Sequence, residues 1–537
     1  MVNDERAKWK VTSKLQKGKL MAAVNCLAGL VIFVFGYDQR MMGCVNGSQT
    51  YLEVMGLGYM EEGEAVVTAT LLQGGITSVY YLGTLVGCFI GGSVGDRMGR
   101  IKSFAIGAII CARLVNGVGT GILNAIIPVY GSEVAEYHSR GQFIAIEFTL
   151  NIFGVVVAYW LGFGLSFIDD GRSEFQWRFP IAFQVVMLIF LLGGCWFFPE
   201  SPRWLCTVGR REEAHYVLSR LRGTDDMARV EREMNEIEAV IELERSSAKS
   251  TTYYHMLFGV GSKELHIARR VQLVIWLQII QSWTGIAGDT MYAPTVFKIA
   301  GFGSQKSMWI AGLNNIFYTF ATLICVFTLD KIGRRWTYGG EQLARQLPCS
   351  SLEGSPALVL MRLPGKKDGI AATAMVYLYT FIFGATWLTV PWLYPAEIVP
   401  LMVRAKGNAW GVVGWSLGNG SLTLARPYVF NALGEKTMYV FGAVNLISIP
   451  IVWAFYPESS QRTLEEIDLL FAADSPWAWT AEANFQVLKM ANPELGLAKD
   501  KDTQSEYDAE KALEDNSGHL ESVVPVEGKT HQGHHSS

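Results

Sequence analysis

The segment YYLGTLVGCFIGGSVGDRMGR, residues 80–100, combines the two features that decide the fold, a long apolar run and a charged end. The run contains no Asp, Glu, Lys or Arg up to Val94, and GDRMGR follows it at once. A second apolar run ends in the related sequence DKIGRR at 330–335. An uncharged run of about 20 residues can cross a bilayer as a helix, because a helix satisfies its own backbone amides. The two matching ends indicate a membrane protein with an internal repeat.

Two further pairs of motifs support this repeat. PESPR at 199–203 matches PESSQR at 457–462, and each follows an apolar run. PVYGSEVAEYHSRG at 128–141 matches YPAEIVPLMVRAKG at 394–407, because each places a Glu shortly before Arg and Gly. The motifs occur in the same order in both halves, so the sequence predicts a duplicated membrane unit of the kind common in transporters.

Long apolar segments fill most of the chain between residues 20 and 456. The candidate spans are 20–39, 70–94, 104–131, 142–168, 179–198, 271–297, 308–329, 370–394, 408–431 and 438–456. Only 18% of the 537 residues are charged and the mean hydropathy is +0.22, whereas soluble domains carry about 25% charge. This composition excludes a soluble enzyme of several domains, a disordered chain, a disulfide scaffold and a nucleic-acid-binding protein.

The distribution of charge predicts five parts. These are a basic cytosolic tail at 1–19, a helical bundle at 20–199, a charged cytosolic linker of amphipathic helices at 200–268, a second bundle at 269–457 and a largely disordered cytosolic tail at 458–537. Segment 41–69 has no Lys or Arg and is expected outside the cell, whereas the basic flank before the first span is expected in the cytosol. Both termini are expected in the cytosol.

The repeated loops carry acidic and basic residues that can form charge networks between helices at the cytosolic rim. Such networks hold one face of a transporter closed and release it when the halves rock. The predicted members are Asp96, Arg97, Arg100, Glu133, Arg140, Glu200, Arg203, Arg334, Arg335, Glu397, Arg404 and Glu458.

These motifs resemble the sugar porter family of the major facilitator superfamily. The signature positions are GDRMGR, PESPRWL, DKIGRRW, VPWLYPAEI and PESSQRTLEEID, and the details of the sequence are similar to fungal members. The resemblance implies an all-α membrane fold of two six-helix bundles, nominally twelve spans, with a central sugar site and alternating access. In many fungal members it also implies proton symport, so the implied partners are a sugar, protons and the lipid bilayer, with no nucleic acid and no cofactor. The sequence leaves the oligomeric state open and is compatible with a monomer in the plasma membrane.

The resemblance also assigns functional residues. Asp38 in FGYDQ matches the family's proton acceptor, and Arg113 matches its partner in span four. Such a pair binds and releases a proton as it forms and breaks. The implied sugar-binding residues are Glu147, Gln281, Asn314, Trp392 and Trp415. Ser282 and Ala287 depart from the family's second Gln and its Asn, and Glu147 stands near a family Gln, so the departures leave the sugar unassigned.

Two family spans are truncated or replaced here, the third and the ninth. Arg100 and Arg113 are 13 residues apart, where the family has about 34, and the difference is one span. Residues 336–369 carry seven charges and three prolines where the ninth span is expected. We interpret the sequence as a translated gene model that lost an exon near 108–111 and gained a wrong-frame segment near 340–368. The alternative is a divergent transporter with re-entrant segments.

Three functions are compatible with these observations: a proton-coupled monosaccharide transporter, a non-transporting sugar sensor with the same fold, or a defective product. The intramembrane residues Arg40, Asp289 and Arg426 have no role in the family pattern. The sequence has no Walker, HExxH or GxSxG motif and no Cys or His spacing for a metal, so we expect neither an enzyme nor a metal site.

Overall fold

A computed structural model of the chain describes most of the residues between 14 and 491. The described residues are 14–45, 48–61, 64–67, 70–98, 113–135, 140–168, 173–223, 227–247, 252–259, 266–286, 297, 302, 304–333, 366–400, 403–433, 437–460, 462, 464–471 and 475–491. The chain divides into two compact units, 1–482 and 483–537.

Helices dominate the described residues. In chain order the elements are α1 (Lys17–Val45), α2 (Gln49–Val54), β1 (Gly58–Glu61), β2 (Glu64–Val67), α3 (Thr70–Met98), α4 (Arg113–Val134), α5 (Arg140–Leu165), α6 (Phe175–Cys195), α7 (Pro202–Thr207), α8 (Arg211–Arg222), α9 (Met227–Ser247), α10 (Tyr253–Phe258), α11 (Ile267–Trp283), α12 (Ser304–Ile332), α13 (Lys366–Ala385), α14 (Val390–Ile398), α15 (Arg404–Leu433), α16 (Thr437–Phe455), α17 (Leu464–Phe471) and α18 (Ala478–Ala491). Every predicted span overlaps at least one of the long helices.

Apolar length and exposed apolar side chains both indicate contact with lipid. Within the described residues, five stretches are long and apolar enough to cross a bilayer: Lys17–Gly43, Arg140–Leu165, Phe175–Cys195, Lys306–Leu329 and Thr373–Ile398. Two shorter apolar helices are Ser78–Val94 and Val440–Phe455. Large apolar side chains such as Phe190 and Trp196 are exposed on outer faces, which suits a hydrocarbon environment.

The segment between α1 and α3, which was predicted to lie outside the cell, contains a short hairpin within the otherwise helical fold. β1 pairs antiparallel with β2, from Gly58 opposite Val67 to Glu61 opposite Glu64. Tyr51, Leu52 and Leu57, which precede the hairpin, pack against the C-terminal end of α1 in one buried cluster. This packing fixes the segment to the bundle, because it removes the apolar side chains from water.

Glycines set the close approach of α1 and α5. A Cβ atom at Gly36 would overlap the carbonyl oxygen of Asn151, and one at Gly154 would overlap the carbonyl oxygen of Phe33. Helices in lipid associate through such backbone contact, because lipid supplies no hydrophobic driving force between them.

We expect Gly154→Ala to destabilise the protein by about 3 kcal/mol, because backbone on the facing helix cannot move aside for the added methyl group. Gly164→Ala on the same helix is the matched control, since nothing lies within 4 Å of its Cβ position. Thermal unfolding in detergent measures both. Equal melting temperatures for the two variants would contradict this packing.

The predicted cytosolic linker contains α7, α8, α9 and α10. Arg222 of α8 donates from Nε and Nη2 to the two carboxylate oxygens of Glu233, each at 2.8 Å. Its Nη1 also donates to the Val134 carbonyl oxygen at the end of α4, at 3.2 Å. One guanidinium therefore joins two linker helices to the first bundle.

This ion pair predicts a pH-dependent stability. Burial alone would raise the pKa of Glu233, but the hydrogen bonds and charge of Arg222 outweigh it, so the pKa is lowered. The pair therefore stabilises the fold above the ordinary Glu pKa, about 4.3, and this stabilisation is lost as the pH falls through the lowered value. We expect Glu233→Gln to cost about 2 kcal/mol at neutral pH. Melting temperatures of variant and wild type should converge in acid, and a constant difference would contradict the pair's role.

Most of the two segments predicted to lack a span lies outside the described residues, in 99–112 and 334–365. The last four residues of the second segment, 366–369, begin α13. The gene-model interpretation therefore stays a prediction, and sequencing the transcript tests it. A message that encodes both stretches as printed would contradict it.

Candidate transport site

The two halves share a cavity of about 120 Å³. Its lining comes from both halves and combines aromatic rings, amides and one charged side chain. The lining residues are Phe35, Gln39, Arg40, Tyr81, Phe148, Asn151, Ile152, Val155, Gln281, Ser282, Ile286, Tyr318, Phe383, Leu388, Trp392, Trp415 and Asn419. Three predicted sugar-binding residues are therefore brought together, namely Gln281, Trp392 and Trp415.

Aromatic rings join the halves on one side of this cavity. Trp392 of α14 stacks on Phe148 of α5, with ring centroids 5.3 Å apart. Trp415 of α15 packs edge-on against Phe35 of α1 at 5.3 Å and contacts Tyr81 of α3 at 5.3 Å. Such rings offer flat apolar faces on which the C–H face of a sugar ring can rest.

Prolines and glutamines explain how α14 holds Trp392 in place. Pro391 and Pro395 have no amide hydrogen, so the carbonyls four residues earlier have lost their helical donors. Gln278 Nε2 donates to the Pro391 carbonyl oxygen at 2.8 Å, and Gln281 Nε2 donates to that of Trp387 at 3.2 Å. The side chains from α11 thus replace the missing hydrogen bonds and fix α14 beside the cavity.

The same kind of bonding leaves amide oxygens for a ligand. Asn151 Nδ2 donates to the Ile32 carbonyl oxygen at 3.1 Å, and Asn419 Nδ2 donates to Ser282 Oγ at 2.8 Å. The carbonyl acceptors define the orientation of Asn151 and Gln281, because only the amide nitrogen can donate. Among the described residues, none donates a hydrogen bond to the side-chain oxygens of Asn151, Gln281 or Asn419. The cavity therefore offers three acceptors to hydroxyl groups.

The predicted proton acceptor lies in a polar cluster beside this cavity. Asp38 of α1 is buried, and Asn116 Nδ2 of α4 donates to its Oδ1 at 2.8 Å. Gln184 Nε2 of α6 donates in turn to Asn116 Oδ1 at 3.4 Å. Arg113 is the first residue of α4, three positions before Asn116, and its side chain lies outside the described part of the chain.

Arg40 supplies the one charged side chain among the described lining residues. Its guanidinium lies 4.8 Å from the ring centre of Tyr159, a cation–π contact. The Tyr159 hydroxyl donates to the Met308 carbonyl oxygen of the second half at 2.8 Å. Asp289 and the Arg426 side chain, also singled out in the sequence, lie outside the described residues.

Two predicted sugar-binding residues lie outside the cavity lining. Glu147 of α5 is fully buried and faces Gly131 of α4. Asn314 of α12 is buried and accepts a hydrogen bond from Thr380 Oγ1 of α13 at 2.8 Å. Phe148 lines the cavity next to Glu147 instead, because adjacent residues point to different faces of a helix.

Equivalent hydrogen bonds mark the internal repeat at the helix ends that were predicted to be cytosolic. The Tyr130 hydroxyl donates to the Pro199 carbonyl oxygen at 3.0 Å, and the Tyr394 hydroxyl donates to that of Pro457 at 3.3 Å. Both bonds link the same two repeated motifs within one half. The two halves therefore share local geometry as well as sequence.

The predicted charge network lies at these same ends. Glu133, Arg140, Glu200, Glu397 and Arg404 are buried, Asp96, Arg203 and Glu458 are partly buried, Arg97 is exposed, and Arg100, Arg334 and Arg335 lie outside the described residues. Lys406 joins the network, since its Nζ lies 3.9 Å from Asp96 Oδ2 across the halves. Glu397 Oε2 accepts a hydrogen bond from Ser459 Oγ at 2.7 Å.

A further contact between the halves depends on a proline in α4. Pro128 cannot donate to the Asn124 carbonyl oxygen, which is therefore open to another donor. Asn408 Nδ2 of α15 donates to that oxygen at 3.1 Å and to the Ala125 carbonyl oxygen at 2.7 Å. The proline in α4 thus leaves a carbonyl oxygen that forms a hydrogen-bonded contact between the two halves.

Sequence reasoning missed Asn116, Asn151, Asn408 and Asn419. The signal that could have found them is an amide within an apolar run, since a polar side chain in lipid needs a partner or a function. The rotation of each helix about its axis decides which amides face the cavity. The apolar pattern of a fully buried helix does not define this rotation.

Two related helical halves around an amide- and aromatic-lined cavity define a membrane transporter of the major facilitator type. The structure is similar to that of the proton:xylose symporter XylE from E. coli bound to 6-bromo-6-deoxy-D-glucose, with a TM-score of 0.72 and 22% identity over 85% of this chain and 100% of that one. The family described as "Sugar (and other) transporter" matches residues 22–471, and the chain belongs to that family.

Curated relatives agree with this assignment. The chain is 29% identical to sugar transporter STL1 of Saccharomyces cerevisiae, over 94% of this chain and 90% of that protein. It is 31% identical to MFS-type transporter oryC of Aspergillus oryzae, over 81% and 82% of the two chains. The predicted family, major facilitator fold and multi-pass membrane character are therefore confirmed, and the protein is a transporter rather than an enzyme.

Proposed function

We propose that this protein carries a monosaccharide across the plasma membrane together with a proton, by alternating access. The observation that carries the proposal is the cavity, in which the oxygens of Asn151, Gln281 and Asn419 face a ligand space beside Trp392. A ligand that donates several hydroxyl hydrogen bonds and has an apolar ring face suits this arrangement. Relatives at 27–28% identity named as glucose transporters support a hexose.

Contacts between the halves at both ends support alternating access. On one side of the cavity Asn408 bonds to α4, and on the other Tyr159 bonds to Met308 of α12. A few hydrogen bonds and ring contacts hold each end, so either end can open while the other stays closed. Asp38 and Arg113 remain the proposed coupling pair.

The proposed orientation has both termini in the cytosol. The basic residues before α1 and the charged linker support it, because cytosolic flanks are enriched in Lys and Arg. A tag at the C-terminus should be cleaved by protease in broken cells and protected in intact ones. Cleavage in intact cells would contradict the orientation.

Uptake in a transporter-null yeast tests the function. We expect expression of the full chain to restore uptake of labelled hexose or pentose, measured over a panel of monosaccharides and polyols. Absence of uptake of every sugar by the full chain and by the product of its sequenced transcript would contradict transport. Sugar binding without uptake would favour the non-transporting sensor. Absence of both sugar binding and uptake would favour a defective product.

Arg40 favours a second candidate, a sugar acid. A buried guanidinium in a ligand cavity can form a bidentate contact with a carboxylate. Uptake of labelled galacturonate in preference to galactose, and reversal of that preference by Arg40→Gln, would support this candidate. Preference for galactose in the wild type would exclude it.

A further inference from the structure

Glu147 is a buried acid for which the proposed transport site has no role. It lies two turns into α5, its exposed fraction is 0%, and neither carboxyl oxygen has a hydrogen-bond partner among the described residues. An ionised carboxylate without partners in such a place costs many kcal/mol, so the neutral acid is the form that this conformation holds.

The space around the carboxyl group is built by a glycine. A Cβ atom at Gly131 of α4 would lie 3.0 Å from Glu147 Oε1 and 3.0 Å from the ring of Phe143. A methyl group at position 131 would therefore be in tight contact with the carboxyl group, which would have to shift by a few tenths of an ångström. The acid occupies a fitted recess between α4 and α5.

Among the described side chains, no charged group on the helices that pack against α5 compensates Glu147. Those helices are α1, α4, α6, α12 and, through the stacking of Trp392 on Phe148, α14. None of their described titratable groups forms a hydrogen bond or ion pair with Glu147. These groups are Lys17, Lys19, Cys26, Tyr37, Asp38 and Arg40 on α1, Tyr130 and Glu133 on α4, Arg178 and Cys195 on α6, Lys306, Tyr318 and Cys325 on α12, and Tyr394 and Glu397 on α14.

The recess lies two turns along α4 from a contact between the halves that must break when the cytosolic side opens. Asn408 of the second half holds α4 at Asn124 and Ala125, two turns before Gly131. The Asn124 side-chain amide is also buried, and neither its nitrogen nor its oxygen has a partner among the described residues. Separation of the halves here exposes this face of α4 to water, which supplies the partners that both polar groups lack.

We propose that Glu147 is a proton-binding site that couples opening of the cytosolic side to the cytosolic pH. In the closed state the carboxyl O–H bond is intact. On opening, that bond breaks, the electron pair stays on the carboxylate, and the proton passes to cytosolic water. On closing, the carboxylate takes a proton back from the same side, so this site adds no proton to the transported stoichiometry. A high cytosolic pH therefore favours the open state, since a group that ionises in only one state shifts the equilibrium toward it.

The inference rests on the proposed transport function. Measurement of sugar exchange tests the role of Glu147 separately from transport itself. We suggest measuring labelled glucose exchange in proteoliposomes with equal pH on both sides, from about pH 5 to pH 8. The background is Asp38→Asn, which removes the proposed coupling proton. In this background we expect the exchange rate to rise by about tenfold in total over this pH range. One titrating group can change the rate by at most about tenfold per pH unit. With Glu147→Gln added, the exchange rate at every pH should stay within about twofold of the rate at low pH, because Gln mimics the neutral acid.

The matched control is Glu174→Gln, an exposed residue paired with Arg178 outside the cavity, which should keep the pH-dependent rise. A second variant guards against misfolding at position 147. Asn408→Ala removes a contact of the closed state only, so it should move the midpoint of the pH profile to lower pH.

A pH profile that persists in Glu147→Gln, or a midpoint that Asn408→Ala does not move, would overturn the inference while leaving transport intact. Absence of any sugar uptake by the wild-type chain would instead overturn the proposed function, and this inference with it.

Discussion

Asp38→Asn is expected to abolish proton-driven sugar accumulation while it preserves sugar exchange. Asn cannot carry a proton, but it keeps the shape of Asp and can still hydrogen-bond to the Asn116 amide. With a pH gradient of about one unit, one coupled proton sustains about tenfold accumulation, so loss of coupling lowers the internal sugar to the external level. The measurement is labelled sugar in proteoliposomes, with and without an imposed gradient.

Glu53→Gln serves as the control, because Glu53 is exposed and its carboxylate accepts a hydrogen bond from Gln49 one turn away. It should accumulate sugar like the wild type. Accumulation by Asp38→Asn at the wild-type level would show that the coupling proton binds elsewhere. Loss of both exchange and accumulation would instead point to a structural role for the Asp38–Asn116 bond.

Trp392→Ala is expected to raise the KM for sugar by about tenfold. The ring of Trp392 lines the cavity and stacks on Phe148, and its centroid lies 5.9 Å from that of the Trp415 ring. Loss of one aromatic contact costs about 1–1.5 kcal/mol, which corresponds to about tenfold in affinity. Initial rates over a range of sugar concentrations measure the change, and Trp392→Phe should recover most of the affinity.

Trp196→Ala is the matched control, because Trp196 is 76% exposed on the outer face of the first bundle. It should leave KM unchanged, since its ring faces lipid. An equal rise in KM for both variants would mean that tryptophan loss acts through folding. An unchanged KM in Trp392→Ala would remove this ring from the proposed site.

The repeated motifs allowed the fold to be predicted, because each combines a span end with a charged loop. The paired bonds Tyr130–Pro199 and Tyr394–Pro457 show why the motifs recur: each ties two span ends together within one half. The hairpin at 58–67 was missed, since its short strands lie between two long apolar segments and carry little strand pattern.

The site was only partly predictable. The family pattern identified Gln281 and Trp392, and the structure adds the reason that they occur together. Pro391 frees a carbonyl that Gln281 satisfies. Asn151 and Asn419 could not be predicted, because their position in the cavity depends on the rotation and crossing of α5 and α15, which apolar composition leaves open.

Proton-driven accumulation by the wild-type protein tests the central claim most directly. The full chain is reconstituted in proteoliposomes, an acid-outside gradient is imposed, and labelled monosaccharide is followed with and without a protonophore. The account predicts accumulation above the external concentration that collapses when the protonophore is added. Equilibration to the external level with no response to the protonophore would contradict proton-coupled transport, and the absence of any sugar movement would contradict transport itself.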